Sequence, residues 1–147
     1  MSYDYSENIL VQESAGTLLH DELGWEVVYA YNQEVLGENG TLGRKDYKEI
    51  LLTRDIRAAL QKFNPWITPA QIDEAIASLR QRLSTASLLQ INEEKYAMIR
   101  DGIDVTYRHP DGRTEDKRAT IIDFQNPENN RFLAVKEMKI HGDLYRR

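Results

Sequence analysis

The sequence predicts an α+β domain. Three observations carry this reading. Apolar residues recur at helical spacing through the middle of the chain, then switch to a period of two after residue 102. Glycine, proline and asparagine clusters fall between the periodic stretches. The chain of 147 residues is 41% hydrophobic, with two tryptophans and eight tyrosines, which is enough apolar material for one domain with its own core.

The elements follow in order. Ser6 reads as an N-cap. Val11, Ala15, Leu18 and Leu19 then follow helical spacing, with Leu23 one turn on and Gly24 as the residue that ends the helix. "WEVVYAY" (25–31) is aromatic and β-branched and predicts a strand. "NQEVLGENGTLGRKD" (32–46) predicts an exposed loop. Leu52, Ile56, Ala59, Leu60 and Phe63 form one apolar stripe on a helix. Pro65 ends it, because proline disfavours a helical conformation at Asn64. Thr68, Pro69 and Gln71 make a capping box that starts a second helix, with Ile72, Ala75, Ile76, Leu79 and Leu83 as its stripe. The pair reads as an αα-hairpin. A third helix carries Leu88, Tyr96 and Ile99 on one side and closes at Asp101-Gly102. Three strands follow, "IDVTYRH" (103–109), "RATIIDF" (118–124) and "RFLAVKEMKI" (131–140), separated by the turns "PDG" and "QNPENN". Turn length predicts that they pair antiparallel.

Composition narrows the function. The net charge is −5, so a strongly basic nucleic-acid binder is not indicated, although an acidic domain can carry a local basic strip. There are no cysteines, which excludes disulfides, thiolate zinc sites and cysteine nucleophiles within the sequence. "MSYDYSENIL" has no basic or apolar leader pattern, and no apolar run reaches a membrane-spanning length. The expectation is a soluble cytoplasmic chain with no membrane partner.

Most chemistry-bearing residues have ordinary readings. His20, His109 and His141 lie far apart in sequence without metal-ligand spacing. Neither a P-loop nor a GxSxG motif occurs. Glu7 and Glu13 both fall in the first helix, six positions apart, and read as solvated acids; Glu7 also suits the helix dipole. Asp123 sits in the apolar "IIDF" and is expected to accept hydrogen bonds that fix the following turn. Basic residues gather in "RTEDKR", where acids interleave, and at Arg146-Arg147. From the residues alone the chain is an α+β domain with no complete catalytic constellation. A small non-enzymatic interaction domain, using its helical hairpin or an exposed strand edge, fits as well.

Four stretches in order change the weighting. "SENILVQESAGTLLHDELGWE", "LGRKDYKEILLTRDIRAALQKFNPWITPAQIDEAIASL", "INEEKYAMIRDGIDVTYRHPDG" and "TIIDFQNPENNRFLAVKEMKI" resemble the N-terminal region of the restriction (R, motor) subunit of type I restriction-modification enzymes. The resemblance implies a partial restriction-endonuclease-like fold of the PD-(D/E)xK type: a first helix and strand (5–31), a helical insertion (46–101) and three strands (103–147). It implies Mg²⁺- and ATP-dependent cleavage of duplex DNA by the intact enzyme, with specificity and methylation subunits as partners. In this class carboxylates hold Mg²⁺ at the scissile phosphate while a lysine positions or activates water. Three Glu-x-Lys triplets occur, at 93–95, 115–117 and 137–139. The one at 137–139 would face one way on a strand, but no aspartate precedes it on a hairpin in the family's order and it lies in the strand before the catalytic hairpin; the sequence reaches "DLYRR" before the expected proline-aspartate. The expectation is therefore that the catalytic hairpin is absent, that no metal site is complete, that no cofactor binds, and that the chain alone is inactive. Glu7 carries over as a first-helix acid of the active site, and Arg146 and Arg147 as DNA contacts. The family often has neutral amides where this chain has Lys136 and Glu137.

Overall fold

A computed structural model describes residues 8–81 and 85–142. In chain order these form a π-helical turn (Asn8–Glu13), α1 (Ser14–Asp21), β1 (Glu26–Tyr29), α2 (Thr53–Phe63), α3 (Pro69–Arg80), α4 (Leu88–Asp101), β2 (Ile103–Arg108), β3 (Thr114–Ala119), a 3-10 turn (Pro127–Asn129) and β4 (Leu133–Lys136). The architecture is mixed α and β, with four α-helices and two small sheets among the described residues. It divides into two compact units, one from residues 8–50 and 131–142 and one from Leu51–Asn130.

The central unit holds the more predictable half. Leu60 of α2, Ile72, Ala75, Ile76 and Leu79 of α3, and Ile103, Val105 and Ala119 of the hairpin form its core. The predicted capping box is present: Gln71 N–H donates to Thr68 Oγ1 (3.3 Å) and Thr68 N–H to Gln71 Oε1 (2.9 Å). α4 has an analogous box in Ser87 and Gln90 that the sequence reading missed, and Leu83 lies outside the described residues. The predicted side of α4 is the wrong one. Leu88, Tyr96 and Ile99 are exposed, while Met98 packs against the core and Lys95 Nζ donates to the Ser78 carbonyl of α3 (2.6 Å). Three apolar residues spread among charges do not choose a face; the anchor to α3 does.

β2 and β3 pair antiparallel, Ile103 opposite Ala119 and Arg108 opposite Thr114. The expected strand at 118–124 is displaced to Thr114–Ala119. Gly112, at φ +89°, lets the turn close early, so strongly charged residues enter the ladder. Ile121 packs against the core without a strand partner. Asn64, the last residue before Pro65, is buried and holds the end of this hairpin: its Nδ2 donates to the carbonyls of Leu60 (2.9 Å) and Thr120 (2.7 Å), and its Oδ1 accepts from Thr120 N–H (2.9 Å). The outer edge of β2 is met by α3 side chains. Gln71 Nε2 donates to Thr106 C=O (3.0 Å), and Glu74 accepts from Thr106 N–H (3.0 Å).

The other unit corrects the antiparallel expectation. β4 pairs parallel with β1, Glu26 opposite Leu133 and Tyr29 opposite Lys136. Turn length governs neighbouring strands only, and this partner lies beyond the whole central unit. Trp25 stacks on Phe132 (centroids 5.0 Å apart), and the Arg131 guanidinium pairs with Glu26 at the same end. That partner holds the Glu26 carboxyl below its usual value. α1 contacts both strands through Gly16: a Cβ there would lie 3.4 Å from Val27 Cγ1 and 3.5 Å from Lys136 Cδ. The expected apolar stripe is not buried, since Val11, Leu18 and Leu23 are exposed. The first element also opens as a π turn rather than as one continuous α-helix, and its expected cap Ser6 lies outside the described residues.

Loop 32–46 is not simply exposed. Leu42 and Arg44 are buried. The Arg44 guanidinium grips Glu34 with Nε to Oε1 (2.8 Å) and Nη2 to Oε2 (2.5 Å), and Nη1 donates to the Glu49 carbonyl (3.0 Å). The bidentate bond to Glu34 raises the arginine above its usual value. The loop thus has a small core of its own, centred on one ion pair.

Candidate functional site

Glu7, Arg146 and Arg147 lie outside the described residues. Glu13 is exposed at the end of the π turn. It shares a shallow cleft of about 290 Å³ with Thr17, His20, Asp21 and Lys136. His20 Nδ1 and Asp21 Oδ1 stand 2.9 Å apart on the rim.

Asp123 behaves as expected. Its carboxylate accepts from Gln125 N–H (3.1 Å), Asn126 N–H (2.9 Å) and Asn129 Nδ2 (3.0 Å). Asn130 closes the turn by accepting from Asp123 N–H (2.9 Å) and donating to its carbonyl (2.7 Å). Led by the Asn129 bond, these donors lower the Asp123 carboxyl below its usual value. The "DFQNPENN" run is a hydrogen-bonded turn whose acid has a structural task.

The Glu-x-Lys triplets are dispersed. Lys95 is bound to Ser78. Lys117 lies over the rings of Trp66 (4.3 Å) and Tyr107 (4.7 Å), while Glu115 pairs with His109 (3.0 Å). Glu137 and Lys139 do not share a strand face, because β4 stops at Lys136 and Glu137 takes φ +58°. A left-handed glutamate is strained, and neighbouring contacts must hold it.

Those contacts lie at the end of β4. Gln12, on the π turn, donates from Nε2 to Glu137 Oε1 (2.6 Å). Its own Oε1 is buried without a partner among the described residues. Beyond Glu137 the chain lies against Tyr47. His141 N–H donates to the Tyr47 carbonyl (2.9 Å), the two rings meet edge to face at 5.3 Å, and Lys139 Nζ lies 4.9 Å from the Tyr47 ring. The Arg44 guanidinium is 5.6 Å from that ring, so the loop core places Tyr47. Sequence reasoning missed Gln12, Arg44 and Tyr47. Arg44 and Tyr47 both lie in "LGRKDY", while nothing local marks Gln12.

The described residues do not build a metal centre. Among them no three His, Cys, Asp or Glu side chains cluster in a way that could hold an ion. Mg²⁺ does not fit these residues alone, and no catalytic step can be drawn through it here. Among them, too, no helix is long and apolar enough to cross a membrane.

The chain is 29% identical over 120 residues to the type I restriction enzyme HindI endonuclease subunit of Haemophilus influenzae, an alignment covering 82% of this chain and 11% of that protein. The chain therefore spans about a tenth of the length of the curated relative it matches. No solved structure matches. The family described as type I restriction enzyme R protein N terminus matches residues 4–147. With that match running over nearly the whole sequence, the chain belongs to the family of type I restriction enzyme R protein N termini.

Proposed function

We propose that this chain is the N-terminal part of the nuclease domain of a type I restriction R subunit, with a restriction-endonuclease-like fold of the PD-(D/E)xK type. In the intact complex the subunit cuts duplex DNA with Mg²⁺ and ATP, alongside specificity and methylation subunits. The observation that carries this reading is the family match over residues 4–147, supported by the relative's description as an endonuclease subunit. The parallel pair of β1 and β4, with α1 against it, gives such a domain a first layer of sheet and helix. The catalytic aspartate and Glu-x-Lys belong to another part of the subunit, and Glu7 contributes an acid from the first helix. Arg146 and Arg147 contact DNA.

The test uses the complete subunit with its partner subunits, plasmid DNA, Mg²⁺ and ATP. Cleavage is expected there, and none from residues 1–147 alone. An intact complex that hydrolyses ATP but leaves DNA uncut would refute the nuclease assignment. Cutting by the isolated chain would refute the placement of the catalytic residues.

A further inference from the structure

α4 is encoded as a helix but is barely held by the unit it belongs to. Its ends are set by the Ser87–Gln90 capping box (3.2 and 2.9 Å) and by Gly102, at φ +100°. Yet none of its 14 residues is buried, whereas α3 buries Gln71, Ile72, Ala75, Ile76 and Leu79. Its inward hold is Met98 on the core and the bond from Lys95 to the Ser78 carbonyl. A helix of this length is marginal in water on its own, because most helical stability comes from packing. The apolar weight lies on the outward side instead. Leu88, Leu89, Tyr96 and Ile99 fall within one arc of about 100° and are 42–77% exposed. At about 200 Å² for a fully exposed large side chain they present about 500 Å², toward the upper end for the largest patch on a lone monomer.

Charge and area narrow the occupant. Arg100 lies 5.4 Å from the Tyr96 ring and binds Asp101 through both Nε (2.7 Å) and Nη2 (2.6 Å), while Glu93 is exposed on the same side of the helix. The rim therefore offers no spare positive charge to a nucleic acid. Two such patches face to face would bury about 1,000 Å² in total, short of the roughly 1,200–2,000 Å² of a stable, specific interface between separate chains. A tethered partner needs less: interfaces between parts of one chain start near about 600 Å², and the tether supplies an effective concentration on the order of millimolar. In the relative, the aligned stretch is 11% of the length, so most of that protein is there to supply such a surface.

We propose that the outer face of α4 is a docking surface for the later part of the same subunit, which seats Leu88, Tyr96 and Ile99 in an apolar groove. This rests on the reading of the chain as the N-terminal part of an R subunit and is independent of which residues cut DNA.

The experiment reads amide hydrogen exchange over residues 92–99 of α4, with α3 as the internal control, in the complete subunit without its partners and in residues 1–147. Expected is exchange in α4 at least about ten-fold slower in the complete subunit, with α3 within about three-fold in the two proteins. Tyr96→Asp in the complete subunit is expected to return α4 to the fast rate and leave α3 unchanged. Equal α4 rates in the two wild-type proteins overturn the proposal, as does an α4 that stays protected in Tyr96→Asp. Protection that rises with the concentration of residues 1–147 would make a second copy the occupant, and protection that appears only when the other subunits are added would make one of them the occupant; either result overturns it too. Where residues 1–147 or the variant lose α3 protection as well, fast α4 exchange in the lone wild-type subunit still refutes the dock by itself. Cleavage is not read here, so failure of the nuclease assignment would leave these rates untouched.

Discussion

Truncating Arg44 to alanine strands the Glu34 carboxylate in the interior of loop 32–49. The two side chains are 0% and 2% exposed, so water cannot replace the lost guanidinium. Three N–H bonds vanish, two to the carboxylate and one to the Glu49 carbonyl. Removing one partner of such a buried pair costs about 3–5 kcal/mol, mostly from the charge left behind. Glu34→Ala leaves the converse charge and costs a similar amount. The double substitution removes both charges and is expected to cost no more than the worse single one, giving a coupling of about 3 kcal/mol. The two tryptophans make the assay local, since Trp25 stacks on Phe132 in this unit and Trp66 belongs to the other. Urea unfolding followed by Trp25 fluorescence in a Trp66→Phe background measures the effect. A loss below about 1 kcal/mol for Arg44→Ala, or simple additivity in the double variant, would refute the argument that this pair organises the loop.

Other consequences are equally measurable. Asn64→Ala removes three hydrogen bonds, two of them to Thr120, and should cost about 0.5–1.5 kcal/mol for each, read from the shift in urea midpoint by Trp66 fluorescence; a neutral result would refute the hairpin anchor. Gly102→Ala should destabilise sharply, because φ is +100° and a Cβ would fall 2.6 Å from Arg118 Cγ and 2.9 Å from the Ala119 carbonyl. Thermal melting of that variant at or above the wild-type temperature would count against this packing. Asp123 has a folded-state carboxyl below its ordinary value, so its stabilising contribution is full above about pH 4 and fades as pH falls through the folded value. Stability of Asp123→Asn should therefore trail wild type at neutral pH, and the gap should narrow as pH falls below about 4. A gap that stays constant through that fall would remove the charge from the explanation.

Local rules carried α3 and its start, though not the inward face of α4. The stripe of α3 and its Thr68–Gln71 box are set by residues within one or two turns of each other, and they appear as read. Asp123 was legible for the same reason: its hydrogen-bond partners lie within a few positions. The rest depended on long-range contacts. β3 is written "TEDKRA", a sequence without strand character, and it pairs because β2 and the Gly112 turn present it with a partner. "TIIDF" has strand character, yet Ile121 serves the core instead. The parallel partner of β4 and the Gln12–Glu137 bond join opposite ends of the sequence, where neither turn length nor periodicity reaches. Arg44 reads as a surface arginine in a glycine-rich loop until Glu34 and Glu49 close around it.

The register that sets Glu26 against Leu133 has a kinetic cost. Closing a flexible loop of about 107 residues carries an entropy penalty of roughly 4 kcal/mol beyond a constant. The central unit, Leu51–Asn130, has its own core and a hairpin sheet, and its pairings span fewer positions than that of β1 with β4, so it can condense first. Once it has, much of that intervening chain is no longer free, and the remaining closure is correspondingly cheaper. Synthesis runs in the same direction, because the central unit emerges before β4 does. Substitutions that weaken the core of Leu51–Asn130 are therefore expected to slow the pairing of β1 with β4 even though they touch neither strand.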